Sequence, residues 1–134
     1  MPSALETLVK ILKLEREQGY KNTAVIGGLA AVHQFCRIGK MSIIGGCSKV
    51  VQDVPPYMLI DGNPAETRTI NKVGLERNAV SEEAQCALKQ AHKILFREGL
   101  TVANATSKIE TELPMVAELR HLLEFANSSE RGLC

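Results

Sequence analysis

The feature that most constrains this chain is a six-residue period between residues 20 and 55. An aliphatic side chain recurs at Ile26, Val32, Ile38, Ile44 and Val50, with Tyr20 in phase ahead of them. A small or slim residue falls four places later each time, at Ala24, Ala30, Cys36, Ser42, Ser48 and Val54, and Gly27, Gly39 and Gly45 directly follow three of the aliphatic positions. Neither a helical period nor the two-residue period of a strand produces this pattern. A hexapeptide repeat is the signature of a parallel β-helix built from triangular coils, each repeat supplying one short face and one turn. The aliphatic residue points into the prism, the small one fits where the cross-section is tight, and the glycine is expected to accept the turn. Such repeats usually coil left-handed, against the common handedness of parallel crossovers, and this stretch makes about two coils. So short a solenoid buries too little alone. Flanking helices are therefore expected to cap it, or copies of it to trimerise, or both.

The flanks read differently. Residues 4–18 carry Leu5, Leu8, Val9 and Leu12 at helical spacing, with a capping box at Ser3 and Glu6 and a stop at Gly19. After the repeat, Pro55 and Pro56 are expected to end the ladder. A short strand at 58–60 and a turn over Asp61, Gly62, Asn63 and Pro64 follow. Four helices are expected beyond: residues 66–78, a second N-capped by Ser81 and stopped by Gly99, a third over 102–112, and a fourth opened by Pro114. The tail over 128–134 is expected to fray. The predicted fold is mixed β and α, in three parts: an extra N-terminal helix over 1–19, a short left-handed parallel β-helix over 20–60, and a C-terminal α-helical domain over 61–134.

Composition limits the chemistry. A formal charge of +1 gives no field that would favour nucleic acid. The apolar runs are too short for membrane insertion, and the first residues lack the pattern of a secretion signal, which points to the cytoplasm. Cys36, Cys47, Cys86 and Cys134 form no close pair and are expected to be free thiols acting as small hydrophobes. No metal site is expected, since only one histidine lies in the repeat. His92 and His121 sit mid-helix among polar neighbours and are read as solvated. His33 takes the place of a repeat glycine, on the prism wall; it is either a partly buried residue holding a turn or one facing a ligand or neighbouring subunit. Arg68, Lys72 and Arg77 fall broadly on one side of the first expected helix, either as a solvated face or as a diphosphate or acidic-protein contact.

Specific strings then point to a family. Val32-His33-Gln34-Phe35-Cys36 within Ile26–Gly39, Gln52-Asp53-Val54-Pro55-Pro56 within Gly45–Tyr57, Gly62-Asn63-Pro64-Ala65, Ile70–Arg77 and Arg131-Gly132-Leu133 together resemble the C-terminal portion of the acyl-(acyl-carrier-protein)–UDP-N-acetylglucosamine O-acyltransferases. The resemblance covers about residues 24–134. It implies a cytoplasmic homotrimer of left-handed β-helices with active sites between subunits. The implied reaction moves a hydroxyacyl chain from acyl carrier protein to the sugar 3-hydroxyl, early in lipid A synthesis, without a cofactor. On the matching positions, His33 and Gln34 would line the substrate cleft, and Asn71 and Arg77 would hold the nucleotide and its phosphates. Gly46 would leave the acyl groove open, and Pro64 would help measure chain length. Asn78 stands where some members have a second arginine. The family's general-base histidine belongs to coils upstream of Val32-His33-Gln34, and residues 1–19 show no hexapeptide period. No catalytic residue is assigned here, and transfer by this chain alone is not expected. A non-catalytic binding or trimerisation module, or a coenzyme A-dependent acetyltransferase sharing only the period, are the alternatives.

Overall fold

The computed structural model of the chain describes residues 24–134, so the helix expected over residues 4–18 lies outside the described residues. Four two-residue strands form the coils: β1 (Val25–Ile26), β2 (Ala31–Val32), β3 (Ile43–Ile44) and β4 (Lys49–Val50). Pairing is parallel throughout them, Val25 with Ile43 and Ala31 with Lys49, so each residue meets its partner 18 residues later. This is a parallel β-helix. Ala30, Val32, Cys36, Ile38, Ile44 and Val50 are buried, as the period requires.

The glycines do not make the turns. The left-handed backbone positions are Leu29, Phe35, Met41 and Cys47, six residues apart and none of them glycine, with φ of 54–69°. Each costs about 1 kcal/mol, which the ladder on either side of the turn must offset. Gly27, Gly39 and Gly45 are instead sites of close stacking between coils. A Cβ at Gly27 would press on the Gly46 backbone, one at Gly39 on the Pro56 backbone, and one at Gly45 on the Asp61 carboxylate.

The prolines do not end the ladder either. Ile38 bridges Val54, and Ile43 and Ile44 of β3 pair with Leu59 and Ile60 of β5 (Met58–Gly62), at a spacing of 16 residues. The last coil is two residues shorter. Val54, expected at a small position, therefore stands in register with the corner residue Ile38. Tyr57, with φ of 66°, takes the turn position of Met41. Pro55 and Pro56 are fully buried at that turn.

β5 turns back through Asn63 and Pro64 into β6 (Ala65–Ile70), its antiparallel partner. The helix expected over 66–78 is thus a strand followed by the short α1 (Lys72–Arg77). Alternation explains the difference: Ala65 and Thr67 are buried, while Glu66 and Arg68 face outward and pair at 3.2 Å. Arg68 consequently shares no helix with Lys72 and Arg77. The remaining helices are α2 (Glu82–Phe96), α3 (Val102–Glu112) and α4 (Ala117–Ser128). Ser81 and Thr101 cap α2 and α3 through their hydroxyls, at 3.2 Å from the amides of Ala84 and Asn104. Pro114 lies before α4, whose cap is Val116. Leu88, Ala91, Ala105, Ile109, Leu119 and Leu122 are buried between the helices and continue the coil core through Tyr57, Met58, Ile70 and Leu75. Among the described residues no helix is long and apolar enough to cross a membrane.

Of the two histidines read as solvated, His92 is buried and His121 is half-buried. His92 is 7% exposed, stacked on Phe96 with ring centroids 5.4 Å apart. Its ring bonds the Thr67 backbone, and Nε2 has no hydrogen-bond partner among the described residues. Burial, and secondarily the Arg97 charge, push its pKa below the ordinary value. His121 packs edge-on to Tyr57 and is lowered too, first by burial and then by Lys40. Both rings are therefore held neutral in the fold, and the unfolded chain takes up their protons first. Stability is complete above about pH 6.5 and falls as pH drops toward the folded-state values. Urea midpoints at pH 7.5, 6.5 and 5.5 are expected to drop mainly over the lower step, and His92→Phe to reduce that drop.

Of the cysteines, Cys36 is buried as expected, but Cys47 and Cys86 are exposed. Cys134 is half-buried, and burial raises its thiol pKa to about 11.

Candidate functional site

Three turns close each coil, and the register shows what stacks on each. At the first corner Gly27–Ala30 lies beneath Gly45–Ser48: the Cys47 amide donates to the Gly28 carbonyl at 3.0 Å, and a Cβ on Gly46 would stand 3.1 Å from that oxygen. The Asp61 carboxylate sits above, accepting from Ser48 Oγ at 3.1 Å, and leads into the turn carrying Pro64. Gly46 therefore lies at this corner, and Pro64 follows two residues after Gly62, whose amide donates to Ser48 Oγ at 3.2 Å.

The second corner carries His33, Gln34 and Phe35, all exposed, beneath Gln52 and Asp53. The C-terminal tail docks here instead of fraying. Leu133 bridges Asp53 in parallel, the Asp53 amide donates to the Gly132 carbonyl at 3.0 Å, and the Cys134 amide donates to the Asp53 carbonyl at 2.9 Å. The buried Asp53 carboxylate accepts from the Arg37 amide at 2.8 Å and from Ser129 Oγ at 2.7 Å, with Arg37 Nε at 3.5 Å. The Arg37 guanidinium reaches onward to the Phe125 carbonyl at 3.0 Å and stacks 4.3 Å from the Phe125 ring centroid. A cleft of about 420 Å³ opens between Phe35, Arg37, Asp53 and the tail residues Ser128, Glu130 and Arg131. Arg131 Nη1 lies 3.3 Å from His33 Nδ1.

The third corner, over Gly39–Ser42, holds Pro55, Pro56 and Tyr57. Asn71 is buried beside it. Its amide group donates to the Met41 carbonyl at 2.9 Å and accepts from the Gly74 amide at 3.2 Å, capping α1. A Cβ on Gly74 would force the Asn71 side chain to shift from this position. Asn71 thus fixes the short helix to the coil, and Arg77 stands exposed at the other end of α1 with no ion pair among the described residues. A larger open cleft of about 750 Å³ adjoins α1 and α2, lined by Lys72, Glu76, Glu82, Cys86 and Lys89. Its charges nearly cancel, so it does not select an anion.

The structure places His33 and Gln34 together on the second corner, Gly46 on the first, and Asn71 at the cap of the helix that carries Arg77; no contact joins Gly46 to Pro64 among the described residues. It keeps these groups on different corners of one prism. Arg37, Asp53 and Arg131 were given no role from the sequence, although the strings containing Asp53 and Arg131 were themselves distinctive.

Residues 53–134 match the model of UDP-N-acetylglucosamine O-acyltransferase, domain 2. The chain belongs to the UDP-N-acetylglucosamine O-acyltransferase family. The acyl-(acyl-carrier-protein)–UDP-N-acetylglucosamine O-acyltransferase of Thiobacillus denitrificans is 44% identical over 110 residues, which are 82% of this chain and 43% of the relative. That of Myxococcus xanthus is 46% identical over 109 residues, 81% of this chain and 42% of the relative. The crystal structure of the UDP-N-acetylglucosamine acyltransferase of Bacteroides fragilis superimposes with a TM-score of 0.81 at 33% identity, over 85% of this chain and 44% of that one. The chain therefore spans less than half the length of the acyltransferases it matches.

Proposed function

We propose that this chain supplies one wall of a substrate cleft shared between copies in a homotrimer. The enzyme moves a hydroxyacyl chain from acyl carrier protein to the 3-hydroxyl of UDP-N-acetylglucosamine in lipid A synthesis, in the cytoplasm. The left-handed coils, about two of them over residues 24–60, act as the rigid scaffold, and the helical domain over 61–134 packs against them. His33 and Gln34 line the sugar-nucleotide side. Arg77 meets the phosphates, a role suited to an exposed guanidinium without an ion pair among the described residues, and Asn71 holds its helix in place. Gly46 and Pro64 border the acyl groove.

One observation carries this reading: the three groups lie on different corners, so a single copy does not close a site around one ligand. Leu29 and Phe35, 87% and 74% exposed at the turn tips, project where a neighbouring copy would cover them. Two measurements test it. Sedimentation is expected to show a trimer. Calorimetric titration with UDP-N-acetylglucosamine is expected to show binding that Arg77→Ala weakens about tenfold, the loss of a charge-assisted phosphate contact. A monomer at every concentration, with no heat of binding, would sink the proposal.

A further inference from the structure

The tail presents Arg131 to His33 from a fixed backbone. Gln52 Nε2 donates to the Arg131 carbonyl at 3.0 Å, the next carbonyl accepts from the Asp53 amide, and Thr67 Oγ1 donates to the Cys134 carbonyl at 3.0 Å. Gly132, with φ of 81°, lets the chain turn there, and a Cβ on it would crowd Gln52 Nε2.

His33 Nδ1 faces two groups with opposite demands. It lies 3.0 Å from the Gln34 carbonyl oxygen, which only accepts, and 3.3 Å from Arg131 Nη1, which only donates. One ring nitrogen cannot serve both. With a proton, Nδ1 bonds the carbonyl and leaves two N–H groups face to face. Without one, it accepts from the guanidinium, and the carbonyl of the exposed Gln34 turns to water. The charge-assisted bond is the stronger of the two, and Arg131 never loses its proton.

We propose that Arg131 is a positioning residue. Docked through the tail, it holds neutral His33 in the Nε2–H tautomer and so aims a hydrogen-bond donor outward at a ligand oxygen. The ligand group it selects is an acceptor (a hydroxyl, carbonyl or phosphate oxygen) and not an N–H. Release of the tail returns the ring to the Nδ1–H form bonded to Gln34, so the far C-terminus controls what the second corner offers. The inference rests on the reading of His33 as a cleft residue.

Nitrogen-15 spectra of histidine-labelled full chain at pH 8, where an ordinary imidazole is neutral, read the tautomer directly. The wild-type chain is expected to show a bare Nδ1 at His33. Arg131→Met, which keeps the stem and drops the donors, is expected to lower the ratio of Nε2–H to Nδ1–H about threefold, and Arg131→Lys to recover most of it. Slow exchange of the Cys134 amide, bonded to Asp53, reports that the tail is still docked in each variant. A wild-type tautomer ratio in Arg131→Met overturns the inference. Titration with UDP-N-acetylglucosamine separates the two claims: the cleft reading fails if the wild-type chain binds nothing, whereas Arg131 as a positioning residue fails on an unchanged tautomer.

Discussion

Replacing Asp53 with alanine is expected to lower the stability of the chain by about 3 kcal/mol, near the lower end of the range for breaking a buried charged network. Asp53 is 2% exposed, and its carboxylate holds three groups at once: the Arg37 amide, the Arg37 guanidinium and the Ser129 hydroxyl. Alanine leaves the amide without its partner and takes the anion from an arginine whose side chain is only 29% exposed. Because Ser129 begins the return of the tail, the loss also loosens the seam between coil and helices. The thermal midpoint is expected to fall by about 10 °C, with faster exchange of the Cys134 amide. Asp53→Asn should cost about half as much, since its oxygen still accepts from the Arg37 amide while the charge is gone. A Tm within about 2 °C of wild type in the alanine variant would show that the tail is held by its backbone bonds alone.

That seam explains what was legible in the sequence and what was not. The six-residue period was readable because burial repeats with it: every aliphatic residue from Val32 to Val50 in that phase is buried. The loss of two residues from the last coil was not readable, because Val54 and Ile60 are apolar in either register. Only the pairing of Ile38 with Val54 reveals it. β6 was misread as helix because Glu66, Arg68 and Lys72 suit an exposed helical face, and its alternation becomes visible only opposite β5. His92 lies among Lys89, Gln90 and Lys93, so its burial depends on how α2 rolls against β6, which no local pattern states. The family strings identified the chain. They did not tell that the residues carrying them sit on different corners, since that follows from register, nor that residues 128–134 return to the second corner.

The glycines of the repeat carry the second large effect. Gly39→Ala is expected to destabilise the fold by about 3 kcal/mol, at the upper end of the usual cost of overpacking, although a turn-forming glycine in this region would tolerate alanine more cheaply. The distinction is physical. Gly39 does not occupy the left-handed region, so alanine meets no φ penalty there. Its Cβ would fall against the nitrogen, Cα and Cδ of Pro56. None of these is the movable end of a flexible side chain, and Pro56 is itself fully buried between Pro55 and the turn at Tyr57. Relief therefore requires separating two coils at the point where the Gly39 amide bonds the Val54 carbonyl at 2.8 Å and the Tyr57 amide bonds the Lys40 carbonyl at 2.8 Å. Gly28→Ala is the matched control: nothing lies within 4 Å of its Cβ position and its φ is not positive, so its midpoint is expected to stay within about 0.5 kcal/mol of wild type. Denaturant midpoints of the two variants decide between the roles. Equal losses would mean that the cost at Gly39 does not come from its stacking on Pro56, and a loss confined to Gly39 means that the repeat uses glycine to let one coil lie directly on the next.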